Sequence, residues 1–565
     1  MSLFGSIQMA KNALRAQQIG LQVVGQNIAN ANTPGYIREE VILSPAPTQR
    51  KGGLLFGLGV QVDAVVQKID KFLEERLRNA KSDRVSHETK EQAYLELESI
   101  LGELGDTDLS TGLNEFFGSI HDVLSQPEDL GVRNLAILQG KTLTQDIRNL
   151  SERVREVRAD LNDKVKDNAL SINNLIEEIR TLNIRITATE GGDTTASDAV
   201  GLRDQRNLAL SKLAELIDIK SIEQPNGSVN VFAGGDYLVF ENAARFVEAK
   251  LDIDRGLAVA DIRIIETDSA LSASSGEIEG LVTSRDDVLG GFLDRLDEFA
   301  RSLIFEFNKL FSSGQGLKGH ADLTSEFATS DATAALDAAG LEYTPVNGSF
   351  QVLVYNKQTN LTETTEIRVD LNGLDEDTTL QDLADQLDAV DGLTASIDID
   401  GHLRISAESV AVEFSFANDT SGALAALGLN TFFTGSSALD IGVSDVVAAD
   451  AAKFNASQSG IGADTETATL LAAFLDAPLD TQNGASLKVL YANLTADVTQ
   501  GSSVARGIAE GSRVFEQTLV GQQLATSGVS LDEEAVKMIS YQRALQASSK
   551  YIKTLDELLE ILVNI

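Results

Sequence analysis

The sequence predicts a multidomain, mainly α protein with β-rich parts: terminal helices pairing as a coiled coil, a long antiparallel helical bundle, and an outer α+β insert domain. Three observations predict it. Narrow apolar stripes of heptad spacing lie at both chain ends, a helical run of about 58 residues without proline occupies 132–189, and alternating apolar segments fill an acidic stretch at 345–435.

The first stripe is Leu3, Ile7, Ala10, Leu14, Gln17, Leu21, Val24, Ile28 and Ala31, in steps of four and three. Such steps keep one helix face, about 38 Å long from Leu3 to Ile28 at 1.5 Å per residue. Gly20 and Gly25 interrupt it, each costing about 1 kcal/mol in a helix interior, so the segment is a poor helix alone and needs a partner helix. The second stripe reads Leu531, Ala535, Met538, Gln542, Leu545, Ser549, Ile552, Leu555, Leu559 and Leu562. Ser530 followed by Glu533 predicts a capping box at its start. Two narrow amphipathic ends pair either within one molecule or with copies of the same chain.

Between the ends the pattern changes several times. After Pro34 and Gly35, residues 36–43 and 60–66 alternate as strands, in a hairpin or an extended linker. Helices follow at 70–104, 113–124, 132–189 with a break expected near Gly140, and 200–217. Short strands at 229–232, 237–240 and 260–265 are separated by Asn226–Gly227, Gly234–Gly235 and Arg255–Gly256 turn pairs. Helix returns at 280–311, residues 320–344 read as a linker, and strands at 350–355, 365–369, 393–399, 403–406 and 412–416 enclose a helix at 380–387. Helices at 464–474 and 485–524 lead back to the C-terminal stripe. The expected domains are 1–35 with 527–565 (terminal coiled coil), 36–218 with 276–320 and 440–526 (helical bundle), 219–275 (small β subdomain) and 345–435 (acidic insert).

Composition removes several function classes. Among 565 residues there is no cysteine, so disulfides, thiolate metal sites and cysteine nucleophiles are impossible. The net charge is −39, and residues 321–450 alone hold 23 acidic and 3 basic side chains. A surface this acidic repels phosphate backbones and anionic lipid, so neither nucleic acid nor membrane is an expected partner. The start is different: residues 1–38 carry Lys11, Arg15 and Arg38 and no carboxylate. No apolar run has the length of a membrane span or the context of a cleaved signal peptide. Gly314, Gly316 and Gly319 have dinucleotide-fingerprint spacing but follow a helix rather than a strand. His87, Glu88 and Glu91 make half of a zincin motif on a charged helix, and Asp398, Asp400 and Gly401 read as a hairpin turn. Four scattered histidines supply no acid–base set, so neither an enzyme nor a cofactor is expected.

The stretch Asn27, Ile28, Ala29, Asn30, Ala31, Asn32, Thr33, Pro34, Gly35 and Tyr36 resembles the N-terminal signature of flagellar rod, hook and hook-associated proteins. Ser527, Gly528, Val529, Ser530, Leu531, Asp532, Glu533 and Glu534, with Tyr541, Gln542, Ala544, Gln546 and Ala547, resemble the C-terminal block of the flagellar hook-associated protein 1 family. Residues 202–210 and the segment closing with Phe307 and Asn308 are similar to its internal blocks. Ser530 stands where that family usually carries Asn; both cap helices. The resemblance implies a structural adaptor ring between hook and filament, extracellular and exported without a cleaved signal peptide. It implies as partners further copies of the chain, the hook protein, an adjoining second junction protein or flagellin, and an export chaperone at the C-terminal helices. Leu3, Ile7, Leu14, Leu21, Val24 and Ile28 with Leu531, Met538, Leu545, Ile552, Leu555, Leu559 and Leu562 are the expected assembly residues. Another axial subunit of hook or filament, or a cytosolic coiled-coil scaffold, would share these stripes.

Overall fold

The helices run in chain order as α1 Leu3–Ala29, α2 Lys71–Gly102, α3 Leu109–Ser125, α4 Leu130–Glu190, α5 Val200–Leu216, α6 Glu277–Thr283, α7 Gly290–Ser312, α8 Leu380–Asp388, α9 Ala423–Leu427, α10 Asp445–Ala449, α11 Glu466–Ala473, α12 Leu487–Ser527 and α13 Leu531–Val563. The computed structural model describes residues 3–51, 54–102, 108–191, 199–374, 376–462 and 464–563. Leu104, the expected end of the helix from residue 70, lies outside the described residues, as do the side chains of Leu3 and Leu562. The protein is mostly helical with several small sheets. Contacts divide it into two units, Met1–Ala93 with Ala159–Asp286 and Ser503–Ile565, and Tyr94–Arg158 with Asp287–Ser502. The residues expected in one helical bundle are therefore shared between both units.

In the first unit, α1 packs on α13 and on the antiparallel pair Glu39–Pro45 and Val60–Gln67. Asn27 meets Glu534 while Gly20 meets Tyr541, so the two terminal helices run antiparallel. A second hairpin, Thr48–Lys51 with Leu54–Gly57, lies in the segment expected to be a hairpin or linker. Downstream, Lys220–Glu223, Val229–Ala233, Asp236–Phe240 and Ala243–Ala244 form one antiparallel sheet, and Val247–Asp254 pairs with Leu257–Ile264. Asn162 on α4 grips that last hairpin, donating to the Ala258 carbonyl at 3.1 Å and accepting from the Ala260 amide at 2.6 Å.

The expected helix at 280–311 is not continuous. A π-helical turn, Ser284–Leu289, separates α6 from α7. The wide turn directs Arg285 inward, where it is fully buried and donates to Asn162 Oδ1 at 3.0 Å and the Ala260 carbonyl at 2.8 Å.

The second unit is centred on phenylalanines. Phe307 on α7 meets Phe433 at 5.0 Å between ring centroids and Phe116, Phe432 and Phe474 at 5.6 Å each. Here α4 passes Gly140 unbroken, contrary to the expected break. A Cβ at Gly140 would sit 2.6 Å from Phe432 Cζ, so the glycine makes room for a ring instead of ending the helix. Farther along the same unit, one sheet orders Leu361–Val369, Gly348–Asn356 and Val412–Ala417, and another orders Asp322–Thr324, Leu403–Ala407 and Leu393–Ile397. With α8 they enclose a core of Phe350, Val352, Leu383, Leu387, Phe414 and Phe416. Residues 320–344 are no linker: Leu323 and Leu336 join this core, and 322–324 is its edge strand. Thr379 and Asp382 form the capping box that starts α8.

Candidate assembly site at the paired chain ends

The signature residues converge at one end of the terminal helix pair. After α1, the Thr33 amide donates to the Asn30 carbonyl at 2.9 Å, the Thr33 hydroxyl to Asn30 Oδ1 at 3.2 Å, and the Tyr36 amide to the Thr33 carbonyl at 3.2 Å. Pro34 is exposed, and Gly35 takes φ +79, a left-handed position natural to glycine. This turn reverses the chain so that Tyr36 faces back onto Asn27.

Asn27 is saturated. Its Oδ1 accepts from the Tyr36 hydroxyl at 2.8 Å and the Glu39 amide at 2.9 Å; its Nδ2 donates to the Glu39 carbonyl at 3.0 Å and to Glu534 Oε2 at 3.1 Å. All four bonding positions of a buried amide side chain are thereby used. Glu534, 0% exposed, is held on its other oxygen by Arg38 Nη2 at 2.7 Å, Arg38 Nε at 3.0 Å and Lys537 at 3.2 Å. Arg38 Nη2 also reaches the exposed Glu533 at 2.8 Å, and the Arg38 amide donates to the Ser527 carbonyl at 3.1 Å. The expected capping box is thus only half present. Ser530 Oγ accepts from the Glu533 amide at 3.4 Å, while the Glu533 carboxylate turns to Arg38.

Charge follows the geometry. Burial pushes the Glu534 carboxyl up, but hydrogen bonds from Asn27, Arg38 and Lys537 outweigh it and hold the group below its usual range. Burial works against the Arg38 charge, and Glu534 with Glu533 more than restore it. Tyr36 is driven above its ordinary value by burial and by Glu39, Asp204 and Glu534. Asp204 on α5 is pushed up to about 7 by burial and Glu39, against a hydrogen bond from Gln67.

Because the Asp204 proton is held more tightly in the folded than in the unfolded chain, its contribution to stability is full below pH 3.8 and lost as pH rises through about 7. Asp204→Asn should therefore match the parent at pH 4 and exceed it at pH 8. The expected gain is about 1–2 kcal/mol after discounting for solvent screening, read from urea denaturation at both pH values.

Farther along the pair, the most buried α1 side chains are small: Ala10, Ala16, Gly20, Val23 and Val24. The Tyr541 ring lies over Gly20, where a Cβ would be 2.6 Å from Cε1, so Gly20 is a point of close approach. Of the expected seam, Val24 and Leu555 are buried and Ile7, Leu14, Leu21, Ile28, Met538, Leu545, Ile552 and Leu559 are half-buried. Leu531 is exposed, as are Asp532 and Gln542 of the motif: the inner face of α13 passes through Glu534 and Tyr541, one position away from the predicted Ala535 and Gln542. Gly528 permits the break between α12 and α13, since a Cβ there would lie 2.3 Å from the Leu524 carbonyl oxygen.

Sequence reasoning missed Arg38, Lys537, Asp204 and Gln67 as parts of this site. Arg38 had a signal, a lone cation beside the signature in a stretch without carboxylates. The decoys resolve as structure. His87 Nδ1 meets Ser512 Oγ at 2.7 Å, and Glu88 and Glu91 pair with Arg513. Asp398 Oδ1 accepts from the Asp400 and His402 amides in the turn joining two strands. Among the described residues no group of His, Asp or Glu could hold a metal ion, and no helix is long and apolar enough to cross a membrane.

Residues 94–324 match the family profile of the flagellar hook-associated protein FlgK helical domain. Residues 7–36 match the flagella basal body rod protein profile, and 521–565 the C-terminal profile of flagellar basal body rod FlgEFG proteins. The chain is 26% identical to flagellar hook-associated protein 1 of Salmonella typhimurium and 23% identical to that of Escherichia coli, in each case over 99% of both chains. The solved flagellar hook junction protein FlgK of Burkholderia pseudomallei aligns over 80% of this chain and 100% of its own, at 14% identity and a TM-score of 0.49. Over its whole length the chain is similar to the flagellar hook-associated protein 1 family.

Proposed function

We propose that this chain is a structural, non-enzymatic component of the bacterial flagellum, an adaptor ring at the junction of hook and filament that filament assembly requires. Two tubes of different subunits present unlike end faces, and an adaptor supplies one matching face to each. The observation that carries the reading is on α13: beyond its contact with α1 it leaves Val536, 68% exposed, and Ile539, Leu558 and Ile561 open to solvent. A helix pair that still exposes apolar side chains gains by packing on further helices, which is how copies would build a tube. In this reading the half-buried Leu14, Leu21, Met538, Leu545, Ile552 and Leu559 are the assembly residues. The partners are further copies, the hook protein and the adjoining second junction protein or flagellin. An export chaperone would cover α12 and α13 before assembly. The profile match at 94–324 supports this reading over a hook or filament subunit, which would share only the chain ends.

The test is electron microscopy of cells lacking the gene, with an assay for filament protein in the medium. Bare hooks and released filament subunits are expected; normal filaments would sink the proposal. At residue level, Leu21→Asp should leave the helical bundle folded, with its helical circular dichroism retained, and weaken assembly about a hundredfold or more, because an unpaired charge in the packed seam costs several kcal/mol. Loss of the helical signal would overturn that division of labour.

A further inference from the structure

A cleft of about 290 Å³ in the first unit is lined by α2, α5 and the strand Lys220–Glu223, with Arg78 and Arg206 in its wall. Arg78 is 8% exposed, and its side chain donates to Ser221 Oγ at 3.1 Å. Among the described residues no carboxylate lies within 4.0 Å of it. Glu74 and Glu75, which also line the cleft, precede it on α2 near enough to favour its charge, and Glu74 accepts in addition from Gln523. Arg206 is 2% exposed. Its Nη1 reaches Asn183 Oδ1 at 3.0 Å and the Gly227 carbonyl at 2.6 Å, but its Nε has no partner. The nearest carboxylate, Glu223 at 3.7 Å, is already shared by Lys71 and Arg203.

Arg78, buried with no carboxylate within 4.0 Å among the described residues, and Arg206, whose Glu223 contact at 3.7 Å is shared with Lys71 and Arg203 and whose Nε is orphaned, are costly in a folded protein unless something completes them. Burial indeed holds Arg78 below its ordinary range and Arg206 at about 10, the latter with help from the nearby Arg203 charge. A planar two-oxygen acceptor matches the fork of a guanidinium, and the cavity has room for a few heavy atoms. We propose that this cleft binds a carboxylate, presented either by an acidic side chain of a neighbouring molecule or by a free dicarboxylate. The cleft forms within one unit and stands whether or not the junction reading does.

The test uses the full chain and malonate as probe, with sodium chloride at equal ionic strength as control. Saturable shifts of the Arg78 and Arg206 Nε–H resonances by malonate, on the order of millimolar, are expected, with binding weakened about tenfold or more in Arg78→Gln. Arg78→Lys, which keeps the charge and loses the fork, should fall between. No saturable shift in the parent protein, or an unchanged shift in Arg78→Gln, overturns the proposal. The source is read separately: malonate that slows assembly when chloride does not identifies a neighbour's side chain, and assembly indifferent to malonate identifies a free dicarboxylate.

Discussion

Glu534→Ala should unfasten the chain ends while leaving the second unit intact, at a cost of about 3–5 kcal/mol to the terminal helix pair. The size follows from what is left behind. Glu534 accepts from Asn27, Arg38 and Lys537 with no solvent exposure, so truncation leaves the buried Arg38 guanidinium with only the exposed Glu533 and unpairs an amide that had used every bonding position. Hydrogen exchange of α1 and α13 amides should accelerate together, because the pair is lost as one cooperative piece. Protection around Phe307 should not change. Glu534→Gln, which keeps an acceptor but not the charge, should show a smaller loss. Acid supplies an independent check. The Glu534 carboxyl is held below its usual range, so its stabilisation is present above its ordinary value and fades as pH falls through the lowered one. That acid limb should disappear in both variants. An unchanged acid limb in Glu534→Ala would assign it to other carboxylates and remove the argument.

Local patterning made the secondary structure readable, and contacts far apart in sequence are where it stopped. The insert strands and α8 were foreseen because period-two and period-three-to-four alternation is a local property, and the acid-rich segment folds from its own residues. Glycine was the weak point. At Gly140 and Gly20 it was read as a break or a penalty, whereas Phe432 and Tyr541, hundreds of residues downstream, occupy the space a side chain would need. The site was legible as two motifs and not as one network. Asn27 and Glu534 are 507 residues apart, and nothing in either segment names the other. Glu533 was assigned to a capping box by spacing alone, and a stronger tertiary partner, Arg38, took its carboxylate. The one-position error on α13 has the same origin: Ala535 and Gln542 fit a heptad on paper, but Glu534 and Tyr541 are the residues with something to bond or cover on α1.

Phe307→Ala should destabilise the second unit by about 3–5 kcal/mol and leave the chain-end network untouched. Phe307 is fully buried, with ring centroids of Phe116, Phe432, Phe433 and Phe474 within 5.6 Å and those of Phe117 and Phe311 at 6.2 Å. Removing the ring forfeits its own transfer from water, and the surrounding rings cannot all close the gap. Phe433 is fixed by its neighbours in turn, since Asn308 Oδ1 accepts from the Phe432 and Phe433 amides at 3.1 Å each while Nδ2 donates to the Phe433 carbonyl at 2.8 Å. A segment held by both its rings and its backbone relaxes little, which places the expected loss toward the upper end of the range. Phe307→Leu, which refills part of the volume, should recover part of it. Denaturation followed by hydrogen exchange separates the units: faster exchange in α3, α7 and α11 with α1 and α13 unchanged is the expected result. Parallel loss at the chain ends would mean that the two units unfold as one, and stability could then no longer be assigned to the phenylalanine core and the Asn27–Arg38–Glu534 network separately.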